Sequence, residues 1–348
     1  MKQVVIIGGG FAGSSLAKRL EQQFTVTLID TKDYFEFTPG ILRTIVEPDH
    51  AGKIQILHHQ YLKRTTIIVA EVQEVTATAV ILGQRKIEYD YLVICSGSRY
   101  SLPIKEHNVI LATRAEHLQK NSEQLKKAKK VLIVGGGLVG VELAAEICTY
   151  YPNKETIIVH AQQRLIERNP EKARNIVSNF LQRRGVKIIV GEKVQGMDAK
   201  KKAYLTNKGT KVEADLVFMC TGIIPNSEFM AGDLKQELDE KKYIRVNHYL
   251  QLRHHHNIFA VGDVNNLPVE KTAQNAEIQA GIAAKNIIAL EEQRKLTEYK
   301  VKVTPLVVSL GKWNGLFISQ NIIFSGIIAG LLKNIVEYWF MLKMKWKI

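Results

Sequence analysis

Two glycine-rich turns lie far apart in the chain, and their residue types indicate nucleotide chemistry. The first is Gly8-Gly9-Gly10-Phe11-Ala12-Gly13, and the second is Gly135-Gly136-Gly137-Leu138-Val139-Gly140. Each stands between an apolar strand and an Ala-rich helix, where glycines let the backbone approach a pyrophosphate at the positive end of the helix. One such turn alone is weak evidence. Two in this context predict two bound dinucleotides, and therefore a flavin that is reduced by a nicotinamide.

Two acidic residues extend this prediction. Asp30 ends the predicted strand 25–30, about twenty residues after the first turn, where an acid binds the ribose of adenosine. Its alternative role is a helix cap. Gly262-Asp263 ends another predicted strand and precedes a predicted helix over about 272–292. There, Asp263 is placed to hydrogen-bond the hydroxyls of a sugar-like chain, while Gly262 permits close backbone approach.

The elements between the turns repeat in the same order. An apolar strand over 91–95 runs into Ser96-Gly97, and a second over 216–220 runs into Thr221-Gly222. A predicted strand over 156–160 has the same place in the second half as the strand ending at Asp30 has in the first. In the segment 67–91, apolar and polar residues alternate, as they do in antiparallel strands. We predict an α/β fold with two Rossmann-like dinucleotide-binding domains, followed by a short C-terminal amphipathic membrane-associating segment.

The amino-acid composition says more about the cellular compartment of the protein than about the reaction it catalyses. The chain has 348 residues, a net charge of +14, 46% hydrophobic and 24% charged residues, and only Cys95, Cys148 and Cys220 as cysteines. We interpret Cys95 and Cys220, which end apolar strands, as buried and inert. So few cysteines suit a reducing compartment. Because the sequence opens on a predicted core strand, we expect no signal peptide and a position on the cytoplasmic face of a membrane. The charge suits nucleic acid, anionic lipid or an anionic cofactor.

As a set, the two turns and the Gly-Asp pair resemble the two-dinucleotide-binding-domain flavoproteins of the glutathione-reductase-like superfamily. The resemblance implies an FAD-binding domain over 1–110 and 226–295, an NAD(P)H-binding domain over 111–225, and a membrane-associating, quinone-site segment over 296–348. The implied FAD-binding residues are Gly8, Gly9, Gly10, Phe11, Ala12, Gly13, Asp30, Arg43, Val72, Ser96, Gly97, Gly262, Asp263, Thr272 and Ala273. The implied NADH- or NADPH-binding residues are Gly135, Gly137, Leu138, Val139, Gly140, His160, Thr221 and Gly222.

Finer matches resemble two branches of that superfamily, the ferroptosis-suppressor (apoptosis-inducing-factor-like) quinone reductases and the type II NADH dehydrogenases. Their shared helix matches residues 140–146 and implies that Glu142 lies near the nicotinamide. The same comparison implies that Lys271 lies near the flavin and that Gln274 borders the quinone site. The chain departs from the quinone-site motif at Ile278, whereas Gln279 matches it.

The second nucleotide site lacks the usual acid. His160 ends the strand at which NAD-specific enzymes place an acid for the 2′-hydroxyl, and Arg164 follows nearby. Because neither residue repels a 2′-phosphate, we predict that both NADH and NADPH are used. The alternative is that His160 merely ends the strand.

The electrons need an acceptor, and the cysteines do not provide one. None of them lies in a CxxC or CxxxxC pair, which excludes dithiol chemistry at the flavin. The C-terminal residues Ile335, Val336, Trp339, Phe340 and Leu342 recur at helical spacing, and Lys343, Lys345 and Lys347 follow. Aromatic and lysine residues beside an apolar helix face suit an anionic lipid surface. Core packing or a homodimer interface is the alternative.

Together these features predict a peripheral membrane flavoenzyme that oxidises NAD(P)H and reduces a membrane quinone without pumping protons. A soluble ferredoxin or rubredoxin reductase remains an alternative, because an acidic partner would suit the charge. A nicotinamide-sensing flavoprotein that binds nucleic acid is less favoured, since the lysine runs lack interleaved aromatic residues. We interpret His254-His255-His256 as a turn and predict no metal site.

Overall fold

The computed structural model describes residues 1–100, 109–111, 115–198, 203–301 and 303–345. In chain order, the strands are β1 Gln3–Ile7, β2 Thr25–Asp30, β3 Tyr34–Glu36, β4 Gln55–Leu57, β5 Thr66–Val69, β6 Glu74–Val75, β7 Ala79–Leu82, β8 Arg85–Glu88, β9 Tyr91–Ile94, β10 Ser98–Tyr100, β11 Val109–Leu111, β12 Lys130–Val134, β13 Glu155–His160, β14 Lys187–Val190, β15 Val194–Asp198, β16 Ala203–Thr206, β17 Lys211–Glu213, β18 Leu216–Met219, β19 Ile223–Pro225, β20 Ile258–Ala260, β21 Leu306–Ser309, β22 Gly315–Ile318 and β23 Ile323–Gly326. The α-helices are α1 Phe11–Leu20, α2 Ala51–Ile54, α3 His58–Tyr61, α4 Ala115–Lys120, α5 Ser122–Lys127, α6 Leu138–Tyr150, α7 Glu171–Gln182, α8 Ala273–Glu291 and α9 Ile327–Lys345. Short 3₁₀ helices cover Thr38–Ile45, Pro48–His50, Gly232–Glu237 and Gly262–Val264.

Two five-stranded sheets organise these elements. The first has the order β20-β9-β1-β2-β5 and the second β11-β18-β12-β13-β14, with neighbouring strands parallel throughout both sheets. All residues of β9 and β18 are buried. Such continuous apolar strands are expected where helices cover both faces of a parallel sheet. The predicted α/β fold is confirmed.

The predicted repeat extends to individual hydrogen bonds. Gly8 N donates to Ile29 O at 2.7 Å, and Gly135 N donates to Val159 O at 2.8 Å. Each sheet is accompanied by a three-stranded antiparallel unit, β6-β7-β8 or β15-β16-β17. The prediction of antiparallel strands over 67–91 is confirmed for β6–β8 and wrong at its start, because β5 pairs parallel with β2. The strand predicted to follow, β9, is buried and pairs parallel with β1.

The chain passes between the two sheets at β10 and β19, which pair with each other. The predicted boundary between residues 110 and 111 falls inside β11, a strand of the second sheet. The domain boundaries themselves stay predictions.

The C-terminal segment forms an antiparallel meander, β21-β22-β23, followed by α9. The helix lies so close to the meander that a Cβ on Gly330 would overlap the carbonyl oxygen of Trp313. The apolar run 322–332 therefore contributes to both β23 and the first half of α9. Within the described ranges, every helix is too short or too polar to span a bilayer.

Candidate functional site

The first glycine turn connects β1 to α1 through a tight bend. Gly8 has a φ of +98°, which favours glycine, and a Cβ on Gly13 would overlap the carbonyl oxygen of Gly8. No side chain caps the first turn of α1, and a Cβ on Gly10 would meet no atom within 4 Å. The helix therefore begins at an open end with backbone N–H donors, as a pyrophosphate requires.

Asp30 is fixed beside the middle glycine of this turn. Its Oδ2 accepts the Gly9 N–H at 2.5 Å, and its Oδ1 accepts the Lys32 N–H at 3.0 Å. The carboxylate is thus held at the strand end from which an acid reaches a ribose.

A buried histidine supports the turn, and sequence reasoning missed it. Ser14 Oγ donates to Gly9 O at 2.7 Å and lies 2.7 Å from Tyr61 Oη, which lies 2.6 Å from His58 Nδ1. Because the carbonyl can only accept, the chain of donors runs from His58 through Tyr61 and Ser14 to Gly9. Burial lowers the pKa of His58 to about 4, so its ring is neutral at pH 7. No sequence pattern marks a histidine for this role.

The Gly-Asp pair lies at the start of a 3₁₀ turn after β20. Gly262 has a φ of +83°, and its N–H donates to Gln279 Oε1 at 2.8 Å. Ser98 Oγ donates to Asp263 Oδ2 at 3.1 Å, and burial raises the pKa of the Asp263 carboxyl. Gln279, which matches the quinone-site motif, is itself buried and instead supports this turn.

Lys271, Thr272 and Ala273 lie together at the beginning of α8. Lys271 Nζ donates to Asn265 O at 2.6 Å, and burial lowers the pKa of this lysine. Thr272 caps the helix, and Gln274 is exposed. The structure thus brings Lys271 into the electrostatic range of Asp263 while leaving the Gln274 side chain accessible.

The remaining predicted FAD positions lie near the ends of the first sheet. Ser96 Oγ donates to Asn226 O at 2.5 Å, and Gly97 has a φ of +67°. Val72 is half-buried against the apolar cluster that contains Ile7.

Arg43 links three parts of the chain. Its Nη2 lies 3.4 Å from Glu146 Oε1 on α6, and its Nη1 lies 3.3 Å from Asn334 Oδ1 on α9. Arg43 Nε is buried without a hydrogen-bond partner among the described residues. The arginine therefore has protein partners, while one N–H group remains available to a bound group.

Glu142 belongs to a buried junction of α6, β21 and α9. Its Oε1 accepts the Ser309 N–H at 2.7 Å and lies 4.0 Å from Lys333 Nζ. Burial raises the pKa of Glu142, and the Lys333 charge opposes that rise. Ser309 Oγ also donates to Glu146 Oε1 at 2.8 Å. Sequence reasoning missed Ser309 and Lys333, because a lysine at the end of an apolar run indicates only that the run has ended.

The inner face of α9 packs on the first glycine turn. The Phe340 ring centroid lies 4.9 Å from that of Phe11 and 5.5 Å from that of Phe35, and Glu337 Oε1 lies 3.2 Å from His50 Nε2. The prediction that Phe340 shares the lipid-facing stripe with Trp339 is therefore wrong, because Phe340 completes an aromatic cluster inside the protein.

The outer face of α9 is apolar and exposed. Its side chains are between 44 and 67% exposed, and they are Ile327, Ile328, Leu331, Ile335, Val336, Tyr338 and Trp339. Trp313 is 57% exposed. Residues 346–348, which include Lys347 of the predicted lipid-binding segment, lie outside the described residues. A patch of this kind marks a surface that is covered by a partner or a membrane.

The second glycine turn repeats the geometry of the first. Gly135 has a φ of +111°, and a Cβ on Gly140 would overlap the carbonyl oxygen of Gly135. A Cβ on Gly137 would meet no atom within 4 Å, and no side chain caps α6, which begins with the half-buried Leu138 and Val139.

Two further predicted positions adjoin this second turn. The Thr221 side chain is close enough to Gly135 that a Cβ there would meet it, and Gly222 has a φ of +73°. His160 Nδ1 accepts the Gly136 N–H at 3.0 Å, and its Nε2 lies 3.0 Å from Glu167 Oε2.

Among the residues that the structure describes, the cysteines and histidines outside these turns form no redox pair or metal centre. Cys95, Cys148 and Cys220 are free and buried, which confirms the predicted burial of Cys95 and Cys220, and burial raises the pKa of Cys148 to about 11. Within the described part of the chain, no group of three or more His, Cys, Asp or Glu side chains is arranged to hold a metal ion. His254 Nδ1 instead contacts Glu237 Oε1 at 2.9 Å.

The two open helix ends fit two dinucleotides. Gly10 and Gly137 leave space at uncapped N-termini, and Asp263 and Asp30 offer carboxylates near the first of these ends. The residues that would hold FAD therefore surround α1, and those that would hold the pyridine nucleotide surround α6.

Comparison with known proteins agrees with this geometry. The family model for pyridine nucleotide-disulphide oxidoreductases matches residues 2–280. Apoptosis-inducing factor homolog B of Dictyostelium discoideum is 34% identical over 345 residues, covering 90% of this chain and 89% of that protein. Ferroptosis suppressor protein 1 of Homo sapiens is 31% identical over 325 residues, covering 90% of this chain and 87% of that protein.

Two solved structures share the fold over almost the whole chain. The sulfide:quinone oxidoreductase from Aquifex aeolicus has a TM-score of 0.87 at 21% identity, covering 99% of this chain and 92% of its own. NDH2 from Plasmodium falciparum in complex with NADH has a TM-score of 0.83 at 15% identity, covering 99% and 98%. The chain therefore belongs to the pyridine nucleotide-disulphide oxidoreductase family, as an oxidoreductase that uses FAD with NADH or NADPH and is related to the apoptosis-inducing factor homologs and ferroptosis suppressor proteins.

Proposed function

We propose that the chain is an FAD-dependent NAD(P)H:quinone oxidoreductase that does not pump protons. It acts as a peripheral protein on the cytoplasmic face of a membrane. Bound FAD would supply the redox chemistry between NADH or NADPH and the quinone. The chain's own residues bind and orient the two partners and exclude water from the site.

The observation that carries the quinone assignment is the division of α9 into two faces. Its inner face packs on the first glycine turn through Phe340, 4.9 Å from Phe11, while its outer face exposes Ile335 and Trp339. A helix that contacts the FAD domain on one side and lipid on the other brings the flavin near a lipid-dissolved acceptor. Lys343 and Lys345 are exposed at the end of the helix and favour an anionic leaflet.

The beginning of α8 is the proposed quinone side. Gln274 and Ile278 are exposed one helical turn apart. Glu277, between them, lies within electrostatic range of Lys343 on α9. Lys271 and Gln274 would contact the quinone ring from this side.

The junction around Glu142 is the proposed nicotinamide side. The Glu142 carboxylate is held by Ser309 N–H and faces Lys333, so its position is fixed before a ligand arrives. Such preorganisation helps a site place its ligand for transfer. The names of the two solved neighbours, one a quinone oxidoreductase and one bound to NADH, support the proposed pair of substrates. The buried cysteines do not support sulfide chemistry.

The test is an anaerobic half-reaction. The purified FAD-loaded protein is reduced with NADH, and ubiquinone or menaquinone analogues are then added while the flavin absorbance is followed. We expect rapid reoxidation by at least one quinone. Reduced flavin that is indifferent to all quinones but is reoxidised by ferredoxin or rubredoxin would replace this proposal with the protein-acceptor alternative.

A further inference from the structure

The ends of β2 and β13 occupy equivalent places in the two nucleotide-binding units. Asp30 Oδ2 accepts the N–H of Gly9, the middle glycine of the first turn, at 2.5 Å. His160 Nδ1 accepts the N–H of Gly136, the middle glycine of the second turn, at 3.0 Å. The histidine thus stands where the first unit has its ribose-binding acid.

The hydrogen bond from Gly136 fixes which ring nitrogen of His160 carries the proton. A backbone N–H can only donate, so Nδ1 is the acceptor and Nε2 carries the hydrogen. Nε2 lies 3.0 Å from Glu167 Oε2 and donates to it. Although burial opposes ionisation of Glu167, the hydrogen bond from His160 lowers the pKa of this carboxyl, which is therefore a carboxylate at pH 7.

The loop that carries Glu167 is fastened to the same glycine turn. The Ile166 N–H donates to Gly136 O at 2.8 Å, and Ile166 has a φ of +42°, a conformation that a β-branched residue rarely adopts. Such strained residues are retained where the surrounding structure requires them, often at ligand sites. Glu167 therefore reaches His160 from a loop that is hydrogen-bonded to the turn through Ile166, and its side chain is 39% exposed.

We infer that Glu167 supplies, from the loop after β13, the acid that the strand end lacks, and that the His160–Glu167 pair makes the second site favour NADH over NADPH. This inference rests on the proposed assignment of the second turn to the pyridine nucleotide. A carboxylate accepts a hydrogen bond from a ribose 2′-hydroxyl and repels a 2′-phosphate. The prediction that both NADH and NADPH are used rested on His160 and Arg164 and did not include Glu167.

Three arginines lie near this pair. The charge of Arg168 acts on the Glu167 carboxyl, but its Nη1 lies 3.6 Å from Glu270 Oε1, and Arg174 Nη1 donates to the backbone oxygen of Glu167 rather than to its carboxylate. Arg164 is exposed earlier in the same loop. The charged group that contacts the His160 ring is therefore the Glu167 carboxylate.

The test measures binding of nucleotide fragments to the FAD-loaded protein by calorimetry. The probes are ADP-ribose and 2′-phospho-ADP-ribose, and the variants are Glu167→Gln and the control Glu171→Gln. Glutamine at 167 keeps an acceptor for His160 but removes the charge, whereas the control removes the charge of an exposed glutamate at the start of α7. We expect the wild type to bind ADP-ribose at least about tenfold more tightly than its 2′-phosphate.

Glu167→Gln is expected to reduce that ratio about tenfold, mainly by strengthening binding of the phosphorylated probe, and the control is expected to leave it unchanged. Equal binding of the two probes by the wild type, or an unchanged ratio in Glu167→Gln, would overturn the inference alone. Failure of both probes to bind any of the three proteins would overturn both the inference and the assignment of the second turn to a pyridine nucleotide.

Discussion

Lys333 Nζ lies 4.0 Å from Glu142 Oε1 where α9 meets α6, and the two side chains are only 10% and 15% exposed. This pair joins the C-terminal segment to the helix that follows the second glycine turn. Because buried ions are costly to leave unpaired, the pair makes α9 part of the nucleotide-binding unit rather than an appendage.

Removing one member of this pair should destabilise the protein more than removing both. Lys333→Met leaves a buried carboxylate unpaired, which costs about 3 kcal/mol. The double variant Lys333→Met/Glu142→Gln keeps an acceptor for the Ser309 N–H and leaves no buried charge at the pair. Urea unfolding of the FAD-loaded proteins measures the difference. Simply additive losses in the double variant would show that the two groups do not interact.

An alanine substitution in one glycine turn should weaken binding of the ligand at that turn and leave the ligand at the other turn in place. An alanine methyl at Gly10 or Gly137 would meet no protein atom, and both residues have φ near −74°, so folding should be unaffected. Each methyl would instead enter the space for a pyrophosphate. We expect Gly10→Ala to lose FAD about tenfold more readily, and Gly137→Ala to retain FAD but weaken NADH binding by a similar factor. Flavin content and NADH titration check this, and the reverse pattern would exchange the two assignments.

The buried His58 predicts a dependence of stability on pH. Its pKa falls from 6.5 to about 4 on folding because of burial, so the unfolded chain binds more protons between these values. Stability should therefore fall as the pH is lowered from 6.5 to 4, by about 3 kcal/mol from this group. Unfolding of the FAD-loaded wild type and of His58→Gln across this range isolates the contribution. Parallel curves for the two proteins would contradict it.

Membrane binding should depend on the outer face of α9. Replacing Ile335 and Trp339 with glutamine removes exposed apolar side chains without touching the inner Phe340. We expect binding to phosphatidylglycerol–phosphatidylcholine vesicles to weaken by about tenfold or more, with FAD content unchanged. Val69→Gln, which alters an exposed apolar residue on β5, is the matched control. Unchanged vesicle binding, together with loss of a dimer in gel filtration, would assign this face to a second copy.

The parts of the fold that sequence predicts are those whose local backbone needs particular residues. Gly8 and Gly135 require positive φ, and Gly13 and Gly140 require the absence of a side chain, so the two turns are visible as glycine spacings. Asp263 is visible for a related reason, because it directly follows the glycine that its turn requires.

Residues whose roles depend on distant neighbours were not predictable. Lys333 and His58 acquire their roles from partners on other elements, and neither stands in a recognisable pattern. Helical spacing predicted an apolar α9 but could not separate Phe340, which faces inward, from Trp339, which faces outward. Glu167 was not predicted as a site residue because it lies in the loop after β13, whereas the expected position for an acid is the end of the strand.

The most direct test of two dinucleotide sites in one chain is an anaerobic titration of the purified protein with NADH. We predict a yellow protein with one FAD per chain, whose flavin absorbance is bleached by one equivalent of NADH in the wild type and far less readily in Gly137→Ala. A colourless protein after expression with added flavin, or bound FAD that NADH leaves oxidised, would contradict the account.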